Sequence, residues 1–408
     1  MNEVQSTKAK VRIEPLQFSE MILFFFALMF LPACGFFGNK TDISFIDVPL
    51  YSGKQVAYVP VQPVLDGFTE PVDVIIGYDE MIYVADAGTE EIVSLDLSGK
   101  ELGRMSIPGI SRIAQDRALD ILAIGSCDTL IGSNNVTLTT LVRIDLKQIS
   151  YGLNSAVITN RIVHPFYFKS SFDPGKDILP KFTGIAVRAD NSFYLSRTGP
   201  NVSQVFGSDD AVLLFGSNDI LISPIVVTTQ LGIFNDYFKI PMSITGRAQA
   251  PQSPFVNESG DFIVTSFSPT VALKVQYITE NETETGIDYR LAEMITGDTT
   301  KADGFLYSPY RFATPADVTY TGDGTNYLFV VDSEKDSVYQ FTNTGLEGVK
   351  PPAGSTTTKN IRVSFGGSGT GLTRFDRPMG VAYYNEVLYV ADAGNGRVLR
   401  FKLTTDLE

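Results

Sequence analysis

The chain has 408 residues, 44% of them hydrophobic, with 28 Phe and 18 Tyr, a composition that supports a large ordered core and excludes a disordered chain. The formal charge is −14 and the Lys and Arg residues form no cluster, which excludes a nucleic-acid surface because phosphate binding requires concentrated cations. The only histidine, His164, rules out a metal centre built on several imidazoles and catalytic schemes that need more than one.

Residues 1–34 read as an export signal. Lys8, Lys10 and Arg12 form a positive start, Met21–Phe30 an apolar run shorter than the ~20 residues that span a bilayer, and Leu31-Pro-Ala-Cys34 a small-residue cleavage site. The last four residues resemble the lipobox of bacterial lipoproteins, which implies a diacylated Cys34 at the mature N-terminus. Lipid on Cys34 leaves Cys127 as the only other cysteine, so no internal disulfide forms and packing must hold the fold. Residues 35–54 make a tether, and residues 55–408 form the folded domain.

Within that domain the sequence repeats itself. Phe68-Thr-Glu-Pro71-Val-Asp73-Val74 is followed by Tyr83-Val-Ala-Asp86-Ala-Gly88 and then by Ile92-Val-Ser-Leu95 and Lys100–Gly103. Phe375-Asp-Arg-Pro378-Met-Gly380-Val381 is followed by Tyr389-Val-Ala-Asp392-Ala-Gly394 and Arg397–Phe401. Short β-branched and aliphatic runs separated by Gly, Asn and Asp turns read as strands, and recurrence at long intervals is the signature of a repeat array. Between these copies lie four more units. The second has strands at Ile110–Ala114, Asp120–Ile124 and Leu141–Asp145, with Cys127–Thr137 read as a loop. The third has Phe182–Val187, Ser192–Leu195 and Ala211–Phe215; the fourth has Phe238–Ile244, Asp261–Thr265 and Val271–Val275; the fifth has Phe312–Val318, Tyr327–Asp332 and Ser337–Phe341. Four units open with Phe-x-x-Pro, where proline can begin a strand without removing a ladder donor.

This pattern resembles the NHL-type six-bladed β-propeller, whose blades carry Pro-x-Gly-Val inner strands and Tyr-Val-Ala-Asp second strands, and within it a group of envelope lipoproteins. The resemblance implies an all-β, six-bladed β-propeller. The last unit supplies three strands, so an N-terminal strand near residues 55–62 is expected to close the ring and remove its exposed edges. A seven-bladed ring is the alternative, since Leu195–Ile263 is long enough to hold a further blade.

Asp86, Asp332 and Asp392 recur just after a strand, where a carboxylate is expected to cap turn amides rather than hold a metal. Aligning the units places Asp73, Arg112, Gly184, Ser243, Asp317 and Gly380 where inner strands open onto the central channel, with Glu70 and Arg377 on the same rim. Such a set could bind a cation or polar ligand, or only solvate the channel mouth. No Ser–His pairing, Gly-x-Ser-x-Gly, phosphate loop or Cys-x-x-Cys accompanies it. The expected function is a binding or scaffold module for a protein or glycan partner, lipid-anchored in the bacterial envelope at the outer membrane, without a catalytic residue or cofactor. The alternative is a calcium-dependent propeller hydrolase of the lactonase or esterase type, with Asp73, Asp317 and Glu70 as oxygen ligands.

Overall fold

A computed structural model describes residues 56–407 except 132, 165–177, 200–202, 205–206, 209, 248–257, 285, 293–298 and 352–356. The signal segment, Cys34 and the tether therefore lie outside the described residues. Six sheets, each with an antiparallel four-stranded core, are arranged as blades in a ring, and no α-helix occurs among the described residues.

From the inside outward, blade 1 consists of Pro71–Ile76, Ile82–Asp86, Glu91–Leu95 and Glu101–Ser106. Blade 2 consists of Arg112–Gln115, Ile121–Ile131, Asn134–Asp145 and Val157–Val163. Blade 3 runs through Lys181–Val187, Phe193–Thr198, Ala211–Phe215 and Leu221–Pro224. Blade 4 runs through Pro241–Gly246, Phe262–Ser266, Val275–Thr283 and Gly286–Leu291. Blade 5 has Pro315–Tyr320, Leu328–Asp332, Ser337–Phe341 and the short Phe365–Gly366. Blade 6 has Pro378–Tyr384, Val387–Asp392 and Arg397–Leu403, and its outer place is taken by Tyr58–Leu65. Tyr58 pairs with Leu403 and Val61 with Arg400, so strands from the two ends of the domain close the ring.

The second strands of blades 1, 4 and 5 are buried along their whole length, because each faces a neighbouring blade on both sides. The apolar clusters accordingly cross blade boundaries: Val74, Ile82 and Val84 of blade 1 pack with Ala382, Tyr389 and Val398 of blade 6. Phe238, Phe312 and Phe375 of the Phe-x-x-Pro openings are buried in such clusters. Burial of this kind between sheets is the main stabilising term when no disulfide is present.

Three local readings of the sequence are corrected. Cys127–Thr137 is no loop: the second and third strands of blade 2 continue as a long hairpin, pairing Cys127 with Leu138 and Leu130 with Asn135. Its Thr, Val and Asn residues project past the core, so they carry no apolar alternation to betray a strand. The third strand of blade 4 begins at Val275 rather than Val271, and it extends to Thr283 rather than ending at Val275. Among the described residues Leu195–Ile263 forms no seventh blade, and the ring has six. The described residues of this stretch supply the outer half of blade 3, a two-stranded hairpin of Ser203–Gln204 and Gly207–Ser208, the inner strand of blade 4, and a small hairpin, Val227–Thr229 and Gly232–Phe234, which widens the sheet of blade 4 to six strands.

Candidate functional site

Pro71, Pro241, Pro315 and Pro378 begin the inner strands of their blades, and the register slips directly after each. A bulge of this kind re-aims the following side chains. It is repeated in blade 3 between Phe182 and Gly184. At these slips stand Asp73, Ser243, Asp317, Gly184 and Gly380; Asp73, Gly184, Ser243 and Asp317 together with Arg112 line a central cavity of about 100 Å³. They do not solvate an open mouth: Asp73, Arg112, Ser243 and Asp317 are buried.

Arg112 lies across the axis. Its Nη1 donates to the Val72 carbonyl of blade 1 at 2.6 Å and to the Met379 carbonyl of blade 6 at 3.2 Å, while Nη2 donates to the Ala316 carbonyl of blade 5 at 2.7 Å. The planar five-donor guanidinium suits this task, because it reaches several acceptors in fixed directions. Asp73 accepts from Val74 N at 2.9 Å through Oδ1 and from Ile113 N of blade 2 at 2.9 Å through Oδ2. Asp317 accepts from the Ser243 hydroxyl of blade 4 at 2.5 Å and from Val381 N of blade 6 at 2.7 Å. Thr183 of blade 3 donates to the Pro241 carbonyl of blade 4 at 2.8 Å. The ring is thereby stitched from blade to blade around its axis.

The two glycines serve the same closeness. A Cβ on Gly380 would stand 2.7 Å from the Asp73 Cα, and one on Gly184 2.9 Å from Ile244 N, so neither blade contact tolerates a side chain. Burial pushes the Asp73 carboxyl up to about 7, with Arg112 opposing the rise and Asp317 adding to it. Burial also raises Asp317, again against the pull of Arg112.

Glu70 and Arg377 do not join this cluster. They form a half-exposed ion pair of 2.8 Å that links blades 1 and 6 at the rim. The residues do not fit a calcium site as they are placed. Calcium takes six to eight oxygens at ~2.3–2.6 Å. Here both oxygens of Asp73 and of Asp317 already accept hydrogen bonds from this chain, and the nearby cation is a guanidinium.

Asp86, Asp332 and Asp392 are buried caps. Asp86 accepts from the amides of Thr69, Glu70 and Gly88, Asp332 from those of Ala313, Thr314, Glu334 and Lys335, and Asp392 from Asp376 N, Asn395 Nδ2 and Arg397 Nε. His164 is buried beside Phe182, and burial together with Arg197 lowers its pKa to about 3, so it is a neutral imidazole at physiological pH. Sequence reasoning missed a second concavity, on blade 4, lined by Leu231, Phe234, Tyr237 and Leu291. Only the wide spacing between Leu195 and Ile263 hinted at added structure there.

No protein-family profile matches this chain, and no curated protein matches it. Among solved structures, it is similar to the PQQ-bound aldose sugar dehydrogenase of Streptomyces coelicolor, at 14% identity and a TM-score of 0.49, covering 86% of this chain and 98% of that one. An auxiliary nutrient binding protein from Bacteroides thetaiotaomicron gives 12% identity and 0.47, covering 87% and 74%. A gluconolactonase from Xanthomonas campestris gives 10% and 0.46, covering 85% and 89%. At these identities the likeness concerns the β-propeller fold alone.

Proposed function

We propose that this chain is a lipid-anchored propeller of the bacterial cell envelope, held at the outer membrane through Cys34, that binds a protein or glycan partner without catalysing a reaction. One observation carries the reading. The charged groups at the axis are buried and bound to their own chain, with Arg112 drawn across to three other blades, so the ring centre acts as a fastening and recognition falls to the outer loops and edges. The acidic surface, with a net charge of −14, suits a protein that works among solvated partners rather than on phosphate polymers.

The hydrolase reading keeps one support: Asp73 is a buried carboxyl with its pKa raised to about 7 beside a second acid, and shifted acids of this kind cluster at reactive centres. Calorimetric titration of residues 35–408 with calcium, alongside Asp73→Ala, separates the two readings. No binding heat, together with a partner recovered by crosslinking from envelope extracts, is the expected result. A one-site micromolar isotherm lost in Asp73→Ala would move the assignment to a calcium-dependent lactonase or esterase. The anchor is tested separately by labelled palmitate incorporation, which Cys34→Ser should abolish.

A further inference from the structure

The added hairpin of blade 4 is placed where it can form one wall of a pocket. Val227 and Thr228 pair in parallel with Tyr289 and Arg290 of the outer strand, and Gly232–Phe234 continues the sheet beyond them. The chain then returns through Asp236–Lys239 to the inner strand at Pro241. Between hairpin, return segment and the strand end at Leu291 and Ala292 lies a cavity of about 650 Å³. That volume is within the ~300–1,000 Å³ of small-molecule sites.

The lining decides the ligand class. Leu231, Phe234, Tyr237, Leu291 and Ala292 give apolar walls, and Tyr237 is braced edge-on against the buried Phe238 at 5.4 Å. Apart from the Tyr237 hydroxyl, the polar side chains among them are already engaged. Lys239 Nζ donates to Asp236 at 2.9 Å, the Thr229 hydroxyl donates to the Gly232 carbonyl and accepts from Leu231 N, and Gln230 has a partner as well. A sugar would need several uncommitted donors and acceptors to replace its water, whereas an alkyl chain needs only apolar surface. The hairpin itself is apolar on its exposed side: Leu231, Ile233 and Phe234 are all exposed, and Leu231 is 91% exposed. Exposed apolar groups collected in this way mark interaction sites rather than ordinary surface.

We infer that this blade 4 pocket binds the acyl chain of a fatty acid or lipid, independently of the partner-binding role proposed above. The chain has no tryptophan, so Phe234→Trp introduces a single reporter into the wall. The full chain carrying it is titrated with sodium dodecanoate, with phosphatidylcholine vesicles, and with maltose as a polar control. A saturable blue shift with dodecanoate identifies a free fatty acid, and one with vesicles alone identifies membrane lipid; either supports the assignment. Leu231→Asp in the same background should weaken the response at least tenfold with an unchanged melting curve, since the Leu231 side chain is exposed. No shift with either acyl source, an equal response in Leu231→Asp, or a shift with maltose instead overturns it. So does a ligand-independent doubling of mass in size-exclusion chromatography, which would assign the patch to a second copy of the chain. Displacement of N-phenyl-1-naphthylamine from the unsubstituted protein by dodecanoate gives the same answer if Phe234→Trp does not fold, and absence of displacement counts equally against the pocket.

Discussion

Arg112 of blade 2 and Ala316 of blade 5 are joined across the ring axis by a 2.7 Å hydrogen bond from guanidinium Nη2 to carbonyl oxygen. Residues far apart in sequence and on non-adjacent blades thus share one buried cation, which also binds Val72 and Met379. Removing it leaves three carbonyls without their donor and two buried acids without their counter-charge. Arg112→Ala is expected to destabilise the domain by about 3–5 kcal/mol, the range found when one partner of a buried charge set is deleted. Arg112→Lys should recover little, because an ammonium is a compact point charge rather than a fork. Urea denaturation of both variants checks this; a midpoint in Arg112→Ala equal to that of the parent would show that the axis bonds contribute nothing.

Asp73 should give stability an unusual pH slope. Its carboxyl is pushed up to about 7 in the folded ring, while an unfolded aspartate titrates near ~3.9. Between these values the folded state holds a proton that the unfolded state has released, so the stabilisation from this site is complete below about pH 4 and is lost as pH rises through about 7. Asp73→Asn cannot titrate and should lack this component. Its stability relative to the parent is therefore expected to improve steadily from pH 4 to pH 8, measured by denaturant midpoints in one buffer series. A constant difference across that range would show that Asp73 is already ionised at pH 4.

The turn-capping aspartates make a third test. Asp332 is fully buried and receives the amides of Ala313, Thr314, Glu334 and Lys335, joining the entry loop of blade 5 to its second strand. Asp332→Ala strands buried donors, each costing about 1–3 kcal/mol, so a loss of about 3 kcal/mol is expected after local relaxation. Asp96 caps an exposed turn through Ser98 and Lys100, and Asp96→Ala should stay within about 1 kcal/mol. Equal losses at the two sites would remove the distinction between a buried and a solvated cap.

These same caps explain how far the sequence could be read. Blades 1, 5 and 6 keep the aspartate, so their strands stand out by repetition. In blade 3 the residue opposite Phe182 is Arg197, and in blade 4 the residue opposite Pro241 is Ser266, whose hydroxyl donates to the Lys239 carbonyl instead. The strand pairing survives in those blades while the motif is lost. Ring positions such as Asp73 and Arg112 were legible because each blade begins its inner strand alike. What was not legible was distance: the reach of Arg112 to blades 5 and 6 depends on ring diameter, which no local pattern encodes. The hairpin at Val227–Phe234 escaped for another reason, since its strands are three residues long and Leu231, Ile233 and Phe234 face outward while only Val227 is buried in the core.

Ring closure yields the last prediction. Tyr58–Leu65 is the outer strand of blade 6, paired with Arg397–Leu403, and Val56 and Tyr58 belong to the cluster that holds Phe329, Phe375 and Phe401. The Tyr58 ring meets Phe365 at 5.5 Å and Phe329 at 6.0 Å, so this strand packs against blade 5 as well as pairing within blade 6. A chain beginning at Val56 retains every one of these contacts and should remain monomeric and cooperative in thermal unfolding. One beginning at Gly67 loses them and exposes both the unpaired Arg397–Leu403 edge and an apolar wall, a template for association with other chains. Size-exclusion chromatography with light scattering distinguishes the two. A monomeric, cooperatively melting chain from Gly67 onward would mean that three strands suffice for blade 6 and that the N-terminal strand is dispensable.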